Sequence, residues 1–102
     1  MNISTYKTQA GSSTNSALSV IKVLSNMHRY AIMKLLLNTR KDLCVHELSA
    51  IVGISQSATS HQLAYLEARG AVKSARMGKA KCYTPQDSAL TKKIAQVISS
   101  LQ

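Results

Sequence analysis

A mainly α-helical domain closed by one small β-hairpin is the fold class that this chain of 102 residues predicts. Apolar residues recur at helical spacing along most of its length. There are four Tyr and no Trp or Phe, so a core must be packed from Leu, Ile, Val, Met and Ala, the usual stock of helical domains. The one stretch that reads as paired strands is short and folds around the polar tip Met77-Gly78-Lys79-Ala80. The length suits a single compact domain, and a 45% hydrophobic share is enough for one modest core.

Residues 1–15, rich in Ser, Thr, Asn and Gln, read as a polar N-terminal tail, with the domain itself over 16–102. Ala17, Val20, Ile21 and Leu24 then repeat at helical spacing and predict a helix over about 15–25. Ser25-Asn26 offers a stop and the next N-cap. The second helix, over about 28–38, is apolar on most sides through Tyr30, Ile32, Met33, Leu35, Leu36 and Leu37, which places it centrally. A short extended piece, Leu43-Cys44-Val45, leads into a third helix from about His46 to Val52, and Gly53 closes it in the left-handed conformation that glycine adopts cheaply.

Ser55 caps a fourth helix that runs to about Arg69 and stops at Gly70. The third and fourth helices are thus joined by the three-residue turn Gly53-Ile54-Ser55, the pattern of a helix-turn-helix. Ala71 to Arg76 and Lys81 to Pro85 follow as the two hairpin strands, so the chain reads as a winged helix-turn-helix. In the last stretch Leu90, Ile94, Val97 and Leu101 stand at steps of four, three and four, a narrow seam that suits helix pairing and therefore a dimer.

Charge gives the partner class. Thirteen Lys and Arg against four Asp and Glu make a formal net charge of +9, which favours polyanions through counterion release. No apolar run approaches the length of a membrane span, and the first fifteen residues lack the apolar core of a secretory signal, so a cytoplasmic protein with no membrane partner is expected. On the fourth helix, a step of 100° per residue gathers Ala58, Thr59, Gln62, Leu63, Tyr65 and Leu66 on one side. The other side carries Gln56, Ser57, Ser60, His61, Ala64 and Ala68. That second face is neutral, polar and low in profile, as a helix entering a major groove requires. The hairpin region holds Arg69, Lys73, Arg76, Lys79 and Lys81 without an acidic residue, and a hairpin displays such charges along one edge beside the reading helix. Double-stranded DNA is the expected partner, with Gln56, Ser57, Ser60, His61, Arg76, Lys79 and Lys81 as its contacts.

Other classes fit less well. Three His, four acidic residues and two Cys are scattered without nucleophile-base or paired-carboxylate spacing, so no enzyme is expected. An RNA-binding module would share the charge, but RNA-reading platforms display several stacking aromatics, and the basic hairpin carries a single Tyr. A helix-turn-helix retained only for protein interaction would have little use for the basic wing.

Leu43-Cys44-Val45-His46-Glu47-Leu48, read together with Ile54-Ser55-Gln56-Ser57-Ala58-Thr59-Ser60-His61-Gln62-Leu63, closely resembles the ArsR/SmtB family of metal- and stress-sensing repressors. The resemblance runs from about Leu18 to Leu101. It implies a homodimer on a palindromic operator, released by an effector, with Gln56, Ser57, Ser60 and His61 at the usual DNA-contacting positions and Arg76 and Lys79 more loosely on the wing. It also implies that the first and last helices pair across the two-fold axis, which adds Val20 and Leu24 to the seam of Leu90, Ile94, Val97 and Leu101.

The chain departs from the family in its sensing residues. Many members carry Cys-Val-Cys where this one has Cys44-Val45-His46, and no further Cys lies in the tail. Cys44 and His46 would admit a transition metal, but a closed zinc site needs about four ligands. The family's other common site uses Asp and His on the last helix; here Asp87 is present and His is absent from residues 62–102. The alternative reading is redox. In a winged helix the extended piece before the third helix pairs with the second hairpin strand, which would bring Cys44 alongside Cys82. The pair would then be either two packed thiols or a bridge, direct or through a linking sulfur, that ties the wing to the body.

Overall fold

The structure is a computed structural model and describes residues 12–39 and 41–102. Its elements follow in the expected order: α1 (Ser12–Leu24), α2 (Met27–Asn38), β1 (Leu43–Cys44), α3 (Val45–Val52), α4 (Gln56–Ala68), β2 (Val72–Met77), β3 (Ala80–Pro85) and α5 (Ala89–Leu101). Among the described residues no helix is long and apolar enough to cross a membrane.

Each boundary has a local cause. Asn26 has extended backbone, and its side-chain oxygen accepts from the amides of His28 and Arg29 at 2.9 and 3.1 Å, so the α1–α2 corner starts the second helix at once. Gly53 ends α3 at φ 83°, where its amide donates to the Ser49 carbonyl at 2.9 Å; a residue with a Cβ would be strained there. Ser55 caps α4 by accepting from the Ala58 amide at 3.0 Å. Ser88 caps α5, and its hydroxyl also donates to the Gly70 carbonyl at 2.8 Å. The buried Thr91 hydroxyl donates to the Ala71 carbonyl at 3.1 Å, so the last helix is fastened to the start of the hairpin.

The three strands form an antiparallel sheet in the order β1-β3-β2. In the hairpin Met77 stands opposite Ala80, and the two-residue turn between them opens on Gly78 at φ 65°. β1 adds Leu43 opposite Tyr83 and Cys44 opposite Cys82. The second helix is central, as its apolar girth requires: α2 packs against every other described helix and against β3. Its Ile32, Met33 and Leu36 share one core with Val20 and Val23 of α1, Leu48 of α3, Leu63 and Leu66 of α4, Tyr83 of β3, and Ile94 and Ile98 of α5. Each such side chain contributes about 1.5–3 kcal/mol relative to exposure, which fixes the angle at which α4 is presented.

Three expectations change. Helix α1 begins at Ser12, so residues 12–15 belong to a helix rather than to the tail, while residues 1–11 lie outside the described residues. Val20 and Ile94, expected in the dimer seam, are 7% and 0% exposed and fill the protomer's own core, together with Ile98, which the seam pattern passes over. The apolar surface left outward on the adjacent helices α1 and α5 is instead Leu18, Ile21, Val97 and Leu101, with Leu24 and Leu90 half-buried behind it. The cause is angular: Ile94 and Ile98 lie one turn apart on the side that meets the core, whereas Val97 is rotated about 60° away by the 100° step.

Candidate nucleic-acid interface

Helix α4 divides as its spacing predicts. Gln56, Ser57, Ser60, His61, Ala64 and Ala68 are all exposed, while Thr59, Leu63 and Leu66 are buried and Ala58, Gln62 and Tyr65 are half-buried. The outer face therefore carries no large apolar group, and its side chains are free of the core that sets the helix in place. Thr59 is the one polar residue buried in this helix, and its hydroxyl donates to the Ser55 carbonyl at 2.8 Å.

The hairpin stands beside that face. A cleft is lined by Gln56 and Ser60 of α4, Val45 and His46 of α3, and Lys79, Ala80 and Lys81 at the hairpin tip, so the outer face and the wing border one space. Lys73, Arg76 and Lys79 are exposed and form no ion pair among the described residues. Lys81 differs from the expectation of a free contact, since its ammonium lies 3.9 Å from Glu67. The Glu67 carboxylate also accepts from Ser74 Oγ at 2.7 Å. One side chain of α4 thereby holds both hairpin strands and sets the distance between wing and reading helix. The pair is half-exposed, so its strength is modest and its role is alignment.

A second brace was invisible to spacing. Arg29, at the start of α2, donates to the Lys22 and Val23 carbonyls at 2.8 and 3.2 Å and to Gln62 Oε1 at 3.1 Å. Its guanidinium carbon is 4.1 Å from the centroid of the Tyr65 ring, over which Arg69 also lies, at 3.4 Å. Arg29 thus closes the C-terminal end of α1 and anchors the inner side of α4. No sequence signal marks this brace, because its Gln62 partner lies 33 residues away on another helix.

Cys44 and Cys82 are joined directly as a disulfide, so the reading as two separate thiols, and that of a linking sulfur, do not hold here. His46 is exposed, and among the described residues no three His, Cys, Asp or Glu side chains gather as metal ligands. With the Cys44 sulfur in the bridge, the Cys44-His46 pair does not fit a resident metal.

Four helices around a central α2, a three-residue turn into an outward-facing helix and a basic hairpin at its side define a winged helix-turn-helix. Residues 27–74 match the family model for bacterial regulatory proteins of the arsR family, and the chain carries an ArsR-family helix-turn-helix domain. Over 71 residues it is 34% identical to a Halobacterium salinarum protein named as an arsenical resistance operon repressor, ArsR2, covering 70% of this chain and 60% of that protein. The chain spans about 60% of the length of the curated relatives it matches most fully. Among solved structures, it is similar to the transcriptional regulator HlyU from Vibrio vulnificus, at 27% identity and a TM-score of 0.77 over 95% of this chain and 99% of that one. It is also similar to AntR, described as an antimony-specific transcriptional repressor, at 26% identity and a TM-score of 0.74 over 89% of this chain and 81% of that one. These relatives are named as regulators and not as enzymes, in keeping with the absence of catalytic spacing in the sequence.

Proposed function

We propose that the protein is a transcriptional repressor that binds a palindromic DNA operator as a homodimer and is released by an effector. The observation that carries this reading is the exposed row Gln56, Ser57, Ser60 and His61 beside the wing cations Arg76 and Lys79, which form no ion pair among the described residues. Gln, Ser and His bond base edges or phosphates, and the small Ala64 lets the helix approach closely. The exposed amides and positive dipole at the N-terminus of α4 favour a phosphate at the groove edge. Two such helices in a two-fold dimer reach successive major grooves about 34–36 Å apart, which requires an imperfectly palindromic site.

The test is selection of bound fragments from genomic DNA, followed by anisotropy titration of the operator so found. His61→Ala or Ser57→Ala is expected to weaken specific binding by about 1–3 kcal/mol with the helical signal unchanged. Unchanged affinity in both variants would remove α4 from the readout. Arg76→Ala and Lys79→Ala are expected to behave differently, weakening all duplex sequences alike and lowering the slope of log affinity against log salt by about one each. A shift in base preference would show that the wing reads bases.

A further inference from the structure

The bridge between Cys44 and Cys82 joins the two elements that border the cleft. Cys44 is the last residue of β1 and the N-cap of α3, the first helix of the helix-turn-helix. Cys82 lies in β3, one residue beyond Lys81 of the wing. Their strands pair over only two positions, Leu43 with Tyr83 and Cys44 with Cys82, so without the covalent bond β1 grips the hairpin by a very short ladder. Val72 and Tyr83 seat the base of the hairpin in the core with Leu63 and Leu66, and toward its charged end the hairpin is tied to the reading helix by Glu67, through Ser74 and the half-exposed Lys81. A bond here therefore changes how freely the wing can turn relative to α4.

We infer that Cys44 and Cys82 form an oxidisable dithiol, the target of a peroxide-class oxidant, and that closing it fixes the wing and weakens DNA binding. The inference rests on the proposed operator-binding function. The two cysteines are unequal in access: Cys82 is 1% exposed, whereas Cys44 is half-buried at the N-cap of α3. Cys44 is thus the sulfur that meets the oxidant. Its thiolate attacks one peroxide oxygen, the O–O bond breaks, and the departing hydroxide takes up the thiol proton as water, leaving a sulfenic acid. Cys82 attacks that sulfur, the S–O bond breaks, and hydroxide leaves with the Cys82 proton as a second water. Two thiols and one hydrogen peroxide give one disulfide and two waters; the cysteines lose two electrons and the peroxide gains them. A dithiol reductant reverses the change.

Where DNA-binding proteins work, thiols are held reduced, and the disulfides found there are mostly transient sensing bonds. The consequence follows from the cleft. A duplex strand seated between Gln56 and Ser60 on one side and Lys79 on the other needs the wing to adjust to the groove, and the bridged protein holds one angle. The dithiol form adjusts and binds tightly; the disulfide form binds more weakly.

The experiment treats reduced full-length protein with equimolar hydrogen peroxide. The expected chemical result is a mass loss of about 2 Da without intermolecular linkage, a Cys44–Cys82 cross-link in the non-reducing peptide map, and slower amide exchange across β2 and β3. The expected functional result is an affinity for the selected operator at least about tenfold lower than that of the reduced form, restored by a dithiol and absent in Cys82→Ser and Cys44→Ser. Failure to form the intrachain bond, or an equal response in Cys82→Ser, overturns the inference. If the bond forms and slows exchange while neither form binds any duplex, the operator-binding reading fails and the dithiol chemistry stands. If the reduced form binds and the bridged form binds equally well, the dithiol is not the switch and the operator-binding reading stands.

Discussion

Val97→Glu is expected to give a monomeric protein with operator affinity about 10²–10⁴-fold below wild type, the range lost when two linked binding units are separated. Val97 is 37% exposed on α5, beside Leu101 at 65%, and the adjacent α1 carries Leu18 and Ile21 at 46% and 59%. Four large apolar residues on two neighbouring helices are more than scattered surface hydrophobes, and such a surface is commonly covered by a partner. A two-fold axis through it would bring each Val97 near its counterpart's surface, so a glutamate would place two carboxylates in a dry seam, where each costs several kcal/mol. Because Val97 lies outside the core, the monomer should keep its helical signal. Light scattering gives the mass and anisotropy the affinity. A variant that stays dimeric with full affinity would mean that another surface forms the dimer.

Leu66→Ala is expected to cost about 2–5 kcal/mol of folding stability, through lost transfer energy and the cavity left behind. Leu66 is fully buried on the inner side of α4, in the core that also holds Ile32, Leu36 and Leu63. His61→Ala, on the opposite side of the same helix, should stay within about 0.5 kcal/mol of wild type in the same denaturation. The two variants thus separate the residues that hold α4 from those proposed to read DNA. Both measurements need equal protein concentration, since the apparent stability of the proposed dimer depends on it. Comparable losses in both would mean that His61 packs inward.

The placement of the helices was legible because each stop has a local chemical cause: the Asn26 and Ser55 caps act within three residues of themselves, and Gly53 and Gly70 end helices at φ 83° and 78°. The two sides of α4 were legible for the same reason, since a 100° step is a property of the helix and not of its surroundings. The pairing of the Cys44 and Cys82 strands followed from the winged-helix topology, and the register puts the two residues directly opposite each other. The seam was less legible. A spacing of four, three and four marks an apolar stripe, but the stripe of α5 is shared between its own core, through Ile94 and Ile98, and the outside, through Val97 and Leu101.

The sequence by itself determined the fold class, the helix-turn-helix with its three-residue turn, and the sorting of α4 into a packed and a polar side, because these rest on interactions that span a few residues. Only the tertiary structure decided that Arg29 holds Gln62 and stacks on Tyr65, that Glu67 aligns both wing strands through Ser74 and Lys81, that Ile94 serves the core, and that Cys44 is bonded to Cys82. Each of these depends on which elements the central helix α2 and the short sheet bring side by side. That proximity is set by the burial of the whole core, which no local spacing encodes.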